Sequence, residues 1–376
     1  MSSKKYSINP DRTKPWNTLP LLPIGEELYK NTMILEKLGD AKTALARLHG
    51  RSAVIPNQGL LINSISLQEA KASSAIENIF TTDDELYKAY SEKEDEQIKS
   101  APKEILRYRE ALWKGFNYLK RTSKFDISYF IEMYREVKQT KDGIRPAFAP
   151  IIIRHGGSGP NAGKVSYTPP RGKGIIEDKM KNLIDFLNDD KKYKVDALLK
   201  MAIAHYQFEA IHPFRDGNGR TGRILNIHYL TQKGLLDFPI LFLSGYIMEH
   251  KDEYYECLSG VSERGDWKNW LLYMLTAVEK TSIITFNKIN DIIEARDGIL
   301  HALASETAIR RPDQLVQMIF TQPFTKVNHL TEAKMYAENT ARNYLNRLCE
   351  LDILEKRTVG GHHYYLNLEL YRILSE

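Results

Sequence analysis

The run His212-Pro213-Phe214-Arg215-Asp216-Gly217-Asn218-Gly219-Arg220-Thr221-Gly222-Arg223 gathers a proton acceptor, a hard-metal ligand, a glycine-rich turn and two well-spaced guanidinium groups. Gly217 and Gly219 lack Cβ, so the backbone there can adopt unusual dihedrals and bring its N–H groups up to an anion. Asp216 offers the carboxylate oxygens that Mg²⁺ prefers when it shares its shell with substrate phosphates. Asn218, the flanking amides and Arg220 can hold phosphate oxygens and the charge that develops in an in-line displacement. Arg223, one helical turn beyond Arg220, can reach further along a polyphosphate. His212 titrates close enough to neutrality to act as a general base. A base beside a phosphate site implies a hydroxyl deprotonated there to attack phosphorus.

Two elements must position this run. Residues 223–233 carry helical periodicity closed by Gly234, so the loop delivers an anion to a helix N-terminus, where unpaired N–H groups and the helix dipole favour negative charge. Upstream, His205, Glu209 and His212 recur at helical spacing, which also allows a transition-metal set. That pattern is not H-E-x-x-H, and Pro213 ends the helix beside the third member; His205 is read as a hydrogen-bonded residue that orients the loop. The bland alternative for the whole run is a solvated glycine turn, which does not account for so many chemically coherent positions in one place.

The run resembles the signature of the Fic (filamentation induced by cAMP) family, H-x-F-x-[D/E]-G-N-G-R-x-x-R, at every fixed position, and His205-Tyr-Gln-Phe208-Glu-Ala-Ile211 is similar to the helix that enters that family's loop. The resemblance implies transfer of AMP from ATP to a hydroxyl side chain of a target protein, with release of pyrophosphate. His212 would be the base and Asp216 the Mg²⁺ ligand. Gly217, Asn218, Gly219, Arg220, Thr221, Gly222 and Arg223 would form the phosphate cradle. Tyr254 and Tyr255 are adenine candidates by position, with core packing as their alternative. Far upstream, Ser73-x-x-x-Glu77-Asn78 resembles the inhibitory motif [S/T]-x-x-x-E-[G/N] of many Fic proteins. By that resemblance Glu77 pairs with Arg223, takes the room of the γ-phosphate and leaves ATP misaligned for attack. In some relatives the same glutamate helps to remove AMP, so reversal belongs to the expectation. Two β-prone runs around a Gly/Ser/Asn/Pro turn, from Phe148 to Thr168, read as a hairpin. By resemblance this is the flap that registers an extended target segment by strand addition, with Pro169 and Pro170 closing it.

The surrounding chain sets the frame. Its 376 residues, 42% hydrophobic and 27% charged with a net charge of +5, describe a soluble globular protein, without a secretory leader or membrane span. Cys257 and Cys349 stand far apart, which fits a reducing cytoplasm. The expected class is mainly α: a Fic-type helical core with a β-hairpin flap, an N-terminal helical region and a C-terminal winged helix-turn-helix. Residues 1–100 open with a proline-punctuated arm (Trp16, Pro20, Pro23), carry the inhibitory helix and end in the charged connector Ser91–Lys99. The core, 101–290, has helix-like periodicity over 103–121, 126–140, 175–190, 194–211, 220–233, 246–262 and 266–296. Residues 310–376 read helix, short helix, helix and hairpin, with Gly360-Gly361 at the wing tip.

Arg342, Asn343, Asn346 and Arg347 lie on the recognition helix of that last unit. DNA is nevertheless not favoured as its partner: residues 312–376 hold seven basic and eight acidic side chains, a poor footprint for phosphate. Protein interaction or dimerisation is preferred, and a homodimer is among the expectations. The leading function is an autoinhibited protein adenylyltransferase that uses ATP and Mg²⁺. The alternative is a nucleotide-sensing winged-helix regulator without transferase activity. Transfer of UMP, GMP, phosphate or phosphocholine stays open, as do the target protein and what relieves Glu77.

Overall fold

The computed structural model describes residues 6–53, 58–91, 100–154, 162–306, 309–359 and 362–375. The expected connector of residues 92–99, the flap turn at 155–161 and the wing tip at Gly360-Gly361 lie outside the described residues. The element order is α1 (Thr32–Ala53), α2 (Gln58–Ile76), α3 (Asp83–Ser91), α4 (Ser100–Thr122), α5 (Ile127–Lys138), β1 (Ile153–Arg154), β2 (Val165–Tyr167), α6 (Ile175–Asn188), α7 (Ala197–Ile211) and α8 (Asn218–Gln232). It continues with α9 (Leu243–Glu249), α10 (Lys251–Arg264), α11 (Trp267–Glu306), α12 (Pro312–Ile319), β3 (Phe324–Thr325), α13 (Val327–Glu332), α14 (Glu338–Glu350), β4 (Leu354–Val359), β5 (His362–Asn367) and α15 (Leu368–Ser375).

The centre of the molecule is the pair α7 and α8, joined by the loop that carries His212. Both are buried on nearly every side, which is why α7 shows no polar face in its sequence. Asp196 starts α7 by accepting the Leu198 N–H at 3.0 Å. Helices α4, α5, α6 and α11 pack around the pair, and α2 lies across α4 and α9. The N-terminal arm is part of the core: Trp16 is buried, donates its N–H to the Thr168 carbonyl at 3.1 Å and meets Tyr167 edge-on, bracing the flap.

Three details depart from the sequence expectation. The helix expected over 246–262 is two helices, because His250 (φ −115°, ψ 40°) breaks the turn between α9 and α10. The helix expected over 266–296 runs on to Glu306, since α1 packs along it and α12 and α15 meet its far end. The C-terminal unit contains β3 and α15 in addition to the expected elements. Strand β3 is only two residues long and exists through its pairing with β5, Phe324 opposite Leu366. The sheet order β3-β5-β4, with α13 and α14 between β3 and β4, is the winged-helix arrangement.

The C-terminal unit docks on α3, the helix that follows Glu77. Arg357 on β4 reaches Asp84 on α3 at 3.0 Å, and Tyr371 on α15 meets the buried ring of Tyr87 on α3. Lys288 on α11 donates to the Ile373 carbonyl at 2.7 Å. Among the described residues no helix is long and apolar enough to cross a membrane.

Candidate active site

The loop after α7 is rigidly built. His212 caps that helix in the left-handed conformation (φ 50°, ψ 60°), which turns the chain and aims the ring sideways. The buried Arg145 guanidinium holds this turn, donating to the carbonyls of His212 at 2.7 Å and Pro170 at 2.6 Å. Asn218 closes the loop on itself: its side chain accepts the Phe214 N–H and donates to the Phe214 carbonyl, both at 2.9 Å. Thr221 Oγ1 donates to the Gly217 carbonyl at 2.9 Å, and Phe214 stacks on Tyr134 with ring centres 4.2 Å apart. Gly217 takes φ 72°, a left-handed residue just ahead of α8 where a side chain would be strained.

Beside this loop lies a cavity of about 790 Å³ bordered by Glu77, Glu209, His212, Gly219, Arg223 and Tyr255 among others. Burial, and then the nearby Arg145 charge, lower the His212 pKa to about 4, so the imidazole is neutral at pH 7 and able to take a proton. Arg223 is buried, with a side chain only 1% exposed, and is held by the end of α2. It donates to Ser73 Oγ at 2.8 Å, to the Ser73 carbonyl at 2.9 Å and to Glu77 Oε1 at 2.8 Å. Burial would raise the Glu77 pKa, but the Arg223 charge and hydrogen bond outweigh it and lower it, so Glu77 is an anion here. That anion stands over the glycine turn: a Cβ built on Gly219 would lie 2.4 Å from Glu77 Oε1 and 3.0 Å from Arg223 Nη1. A carboxylate therefore sits where the backbone and Arg223 together receive negative charge. Asn78 follows at φ 62°, the left-handed helix end that glycine or asparagine tolerates best.

Asp216 faces outward, its side chain 69% exposed. One oxygen accepts the Gly217 N–H at 2.6 Å and the other meets the Lys138 ammonium at 2.6 Å. An ammonium against an open carboxylate beside the anion site stands in for a hard cation, so the residue type and setting fit Mg²⁺.

Several expected site residues do other work. The Asn218 and Thr221 side chains are spent inside the loop and are not free for phosphate, and the Thr221 N–H already donates to the Gly217 carbonyl at 3.1 Å. Arg220 does not border the cavity: its buried guanidinium turns to Glu104 on α4 at 3.0 Å. Both tyrosines border the cavity: Tyr254 is buried, with its hydroxyl on His205 Nε2 at 2.8 Å, and Tyr255 is 45% exposed. His205 spends both ring nitrogens, the second on the Gly222 carbonyl at 3.1 Å, and orients the start of α8 as expected from sequence. Gly222 lets that approach happen, because a Cβ there would meet Glu209, Phe208 and His205.

Four contributors were not found in the sequence. Arg145 and Lys138 carry no local motif. Glu69 on α2 is fully buried, binds the Tyr108 hydroxyl at 3.0 Å and the Ser244 N–H at 2.8 Å, and so pins α2 to α9. Glu209 was weighed only as a metal ligand.

A helical core, a short hairpin beside it and an anion-receiving loop with a neutral histidine define the Fic class of fold and site. Family models match in succession: Fic/DOC family N-terminal over residues 35–117, Fic/DOC family over 124–230, and the C-terminal domain of SoFic-like protein adenylyltransferases over 310–370. The chain belongs to the Fic/DOC family. It is 35% identical over 155 residues to a protein adenylyltransferase of Caenorhabditis elegans, covering 41% of this chain and 27% of that protein. It is 32% identical over 174 residues to a probable protein adenylyltransferase of Aquifex aeolicus, covering 45% of this chain and 42% of that protein. The chain thus spans less than half the length of these relatives. In fold it is similar to a Fic family protein of Desulfovibrio desulfuricans, with a TM-score of 0.57 at 18% identity over 92% of this chain and 98% of that one. A Fic-domain signalling protein of Bacteroides thetaiotaomicron matches with a TM-score of 0.54 at 15% identity, covering 67% of this chain and 97% of that chain.

Proposed function

We propose that this chain is a self-restrained protein adenylyltransferase that moves AMP from ATP to a hydroxyl side chain of a target protein. The observation that carries the reading is the Glu77 carboxylate standing on Arg223 over Gly219, in one cavity with the neutral base His212. An anion site and a base with a depressed pKa, facing a common space, are what attack of a hydroxyl on a phosphate ester requires.

In the working state Glu77 gives up Arg223 to the polyphosphate. His212 takes the proton of the target hydroxyl, whose oxygen bonds to the α-phosphorus as the bond to pyrophosphate breaks. The backbone amides that open α8 and the Arg223 guanidinium hold the charge gathering on the phosphate oxygens. Asp216 would hold Mg²⁺, which neutralises phosphate charge when bound. The target lies along the β1–β2 hairpin, and Tyr255, on the open side of the cavity, contacts the base. Glu77 beside the same base also provides for hydrolytic removal of AMP. The chain divides into an N-terminal inhibitory part (1–100), a catalytic core (101–290) and a C-terminal unit (310–376). That unit serves protein contact, since Arg342 and Arg347 on α14 are occupied by Glu338 and Glu350 at 2.6 and 2.7 Å.

Intact-mass spectrometry after incubation with ATP and Mg²⁺ tests this. An AMP adduct that is strong in Glu77→Gly and absent in Glu77→Gly combined with His212→Ala is the expected result. No adduct in any form, with lysate proteins also unmodified, would replace the reading with that of a nucleotide-sensing regulator.

A further inference from the structure

Glu209 is the third residue from the end of α7, three positions before His212, and it borders the cavity. Its carboxyl is pressed against the first turn of α8: a Cβ on Gly222 would lie 2.3 Å from Glu209 Oε1. That oxygen is sealed from solvent and has no hydrogen-bond partner among the described residues. A buried carboxylate without a donor is costly, and nothing in the loop answers it.

The charges facing it come from three elements. Arg223 lies on α8, Glu77 at the end of α2, and Tyr254 and Tyr255 on α10, all within electrostatic reach. His205, on its own helix, is kept neutral by burial and the Arg223 charge, with its pKa lowered to about 3. Three carboxyl groups thus feel the Arg223 charge, Glu77, Glu209 and Glu69, the last already held by the Tyr108 hydroxyl and the Ser244 N–H. Glu77 is hydrogen-bonded to the guanidinium and takes the negative charge. Burial first, and the Glu77 charge after it, raise the Glu209 pKa to about 8, while Arg223 pulls it down. Glu209 is therefore a neutral acid at pH 7 while an anion occupies Arg223.

We propose that Glu209 is a further nucleotide-site residue, a carboxylic acid that keeps its proton only while an anion is seated on Arg223 and that presents it to a bound polyphosphate as a hydrogen-bond donor. In the resting chain the anion is Glu77; in the working enzyme it is the polyphosphate. This rests on the nucleotide reading above. Between the two states, with Arg223 bare, its charge draws the proton off Glu209. Binding a polyphosphate to the unlocked site then takes one proton from solvent onto Glu209.

The sign of the pH dependence follows. In Glu77→Gly the loss of a neighbouring anion lowers the Glu209 pKa of the nucleotide-free site, and a bound phosphate restores it toward about 8. Between those two values affinity weakens with rising pH, by up to about ten-fold per pH unit, because the free site must regain a proton to bind. Below and above that window it is flat.

The test is calorimetric titration of Glu77→Gly with β,γ-imido-ATP and Mg²⁺, in buffers of different ionisation enthalpy, at several pH values between about 6 and 9. Uptake of up to one proton in this window, with the Kd change described, is the expected result. Glu77→Gly combined with Glu209→Gln retains a donor that cannot titrate, so the uptake and the pH dependence both vanish. Glu209→Leu in the same background loses the donor and binds roughly ten-fold more weakly. Nucleotide binding with no proton uptake by Glu77→Gly itself overturns the proposal, whether or not the Glu209 variants fold. Equal uptake with Glu209→Gln overturns it too, leaving the nucleotide reading intact. Absence of binding in Glu77→Gly removes both.

Discussion

Arg223 on α8 and Arg342 on α14 each hold a glutamate, at 2.8 and 2.6 Å, but they do so in different surroundings. Arg223 is 1% exposed and its partner comes from another helix, 146 residues away in sequence. Arg342 is 54% exposed and its partner is one turn back on the same helix. In the cavity a charge cannot be left to water, so whatever anion sits on Arg223 governs the protonation of Glu209 and access to the phosphate site. On α14 water competes for both partners and little depends on the pair. Ion pairs of similar length are a buried contact between distant segments in one region and a surface feature in the other.

The sharpest break of this comparison is made at the cavity. In the Glu77→Gly background, His212→Ala should lower AMP incorporation by about 10²–10⁴-fold, the usual contribution of a positioned base, with radiolabel transfer as the measure. Glu77→Gly alone should raise incorporation over the native chain by roughly 5–150-fold, the span of an ordinary coupling between sites. Next in size, Arg223→Ala removes the bonds to Ser73 and Glu77 and should cost roughly 2–4 kcal/mol in urea unfolding, part of the loss being offset because Glu77 can rehydrate.

Buried titrating groups give a fourth expectation. His205, His212 and His228 have pKa values lowered to about 3, 4 and 4, chiefly by burial. Below about pH 6.5 the unfolded chain binds protons that these histidines refuse, so stability falls with acid. Burial raises Glu69 and Glu209 to about 7 and 8, so the folded chain keeps protons that the unfolded chain releases, and stability falls as pH rises toward those values. The histidines outnumber the glutamates, so the melting temperature should peak near pH 6.5 and decline on both sides. Glu69→Gln should flatten the alkaline side.

The smallest effects belong to the other region. Asp84→Asn, which removes the Arg357 ion pair across a docking contact about a third exposed on both sides and leaves Arg357 on Glu355, should cost no more than about 1 kcal/mol. Arg342→Ala should stay within about 0.5 kcal/mol by chemical denaturation. A larger loss at Arg342 than at Asp84 would erase the distinction drawn between the two regions.

Much of the candidate site was legible because it is contiguous. Residues 212–223 carry base, carboxylate, glycines and guanidiniums in one stretch, and the helices either side follow from periodicity and a closing glycine. Glu77 was reached only through a resemblance, since no local physics joins residue 77 to residue 223. Arg145, Lys138 and Glu69 were invisible, because an isolated charge in a helix or loop means nothing until a fold supplies its partner. The two-residue strand β3 was missed for the same reason: its pairing with β5 makes it a strand. Asn218 was recognised by type and misjudged in role, since only geometry shows its amide spent on Phe214.

The sequence by itself determined the helical class, the chemical kit of the loop and the three helices and hairpin of the C-terminal unit, because these rest on spacing between near neighbours. Only the tertiary structure decided which charges are buried together. Glu77 lies over Gly219, Glu209 is wedged against Gly222 without a donor, and Arg220 turns away to Glu104. Electrostatic strength depends on distance and exclusion of water, and neither is defined until helices far apart in the chain close around the same space.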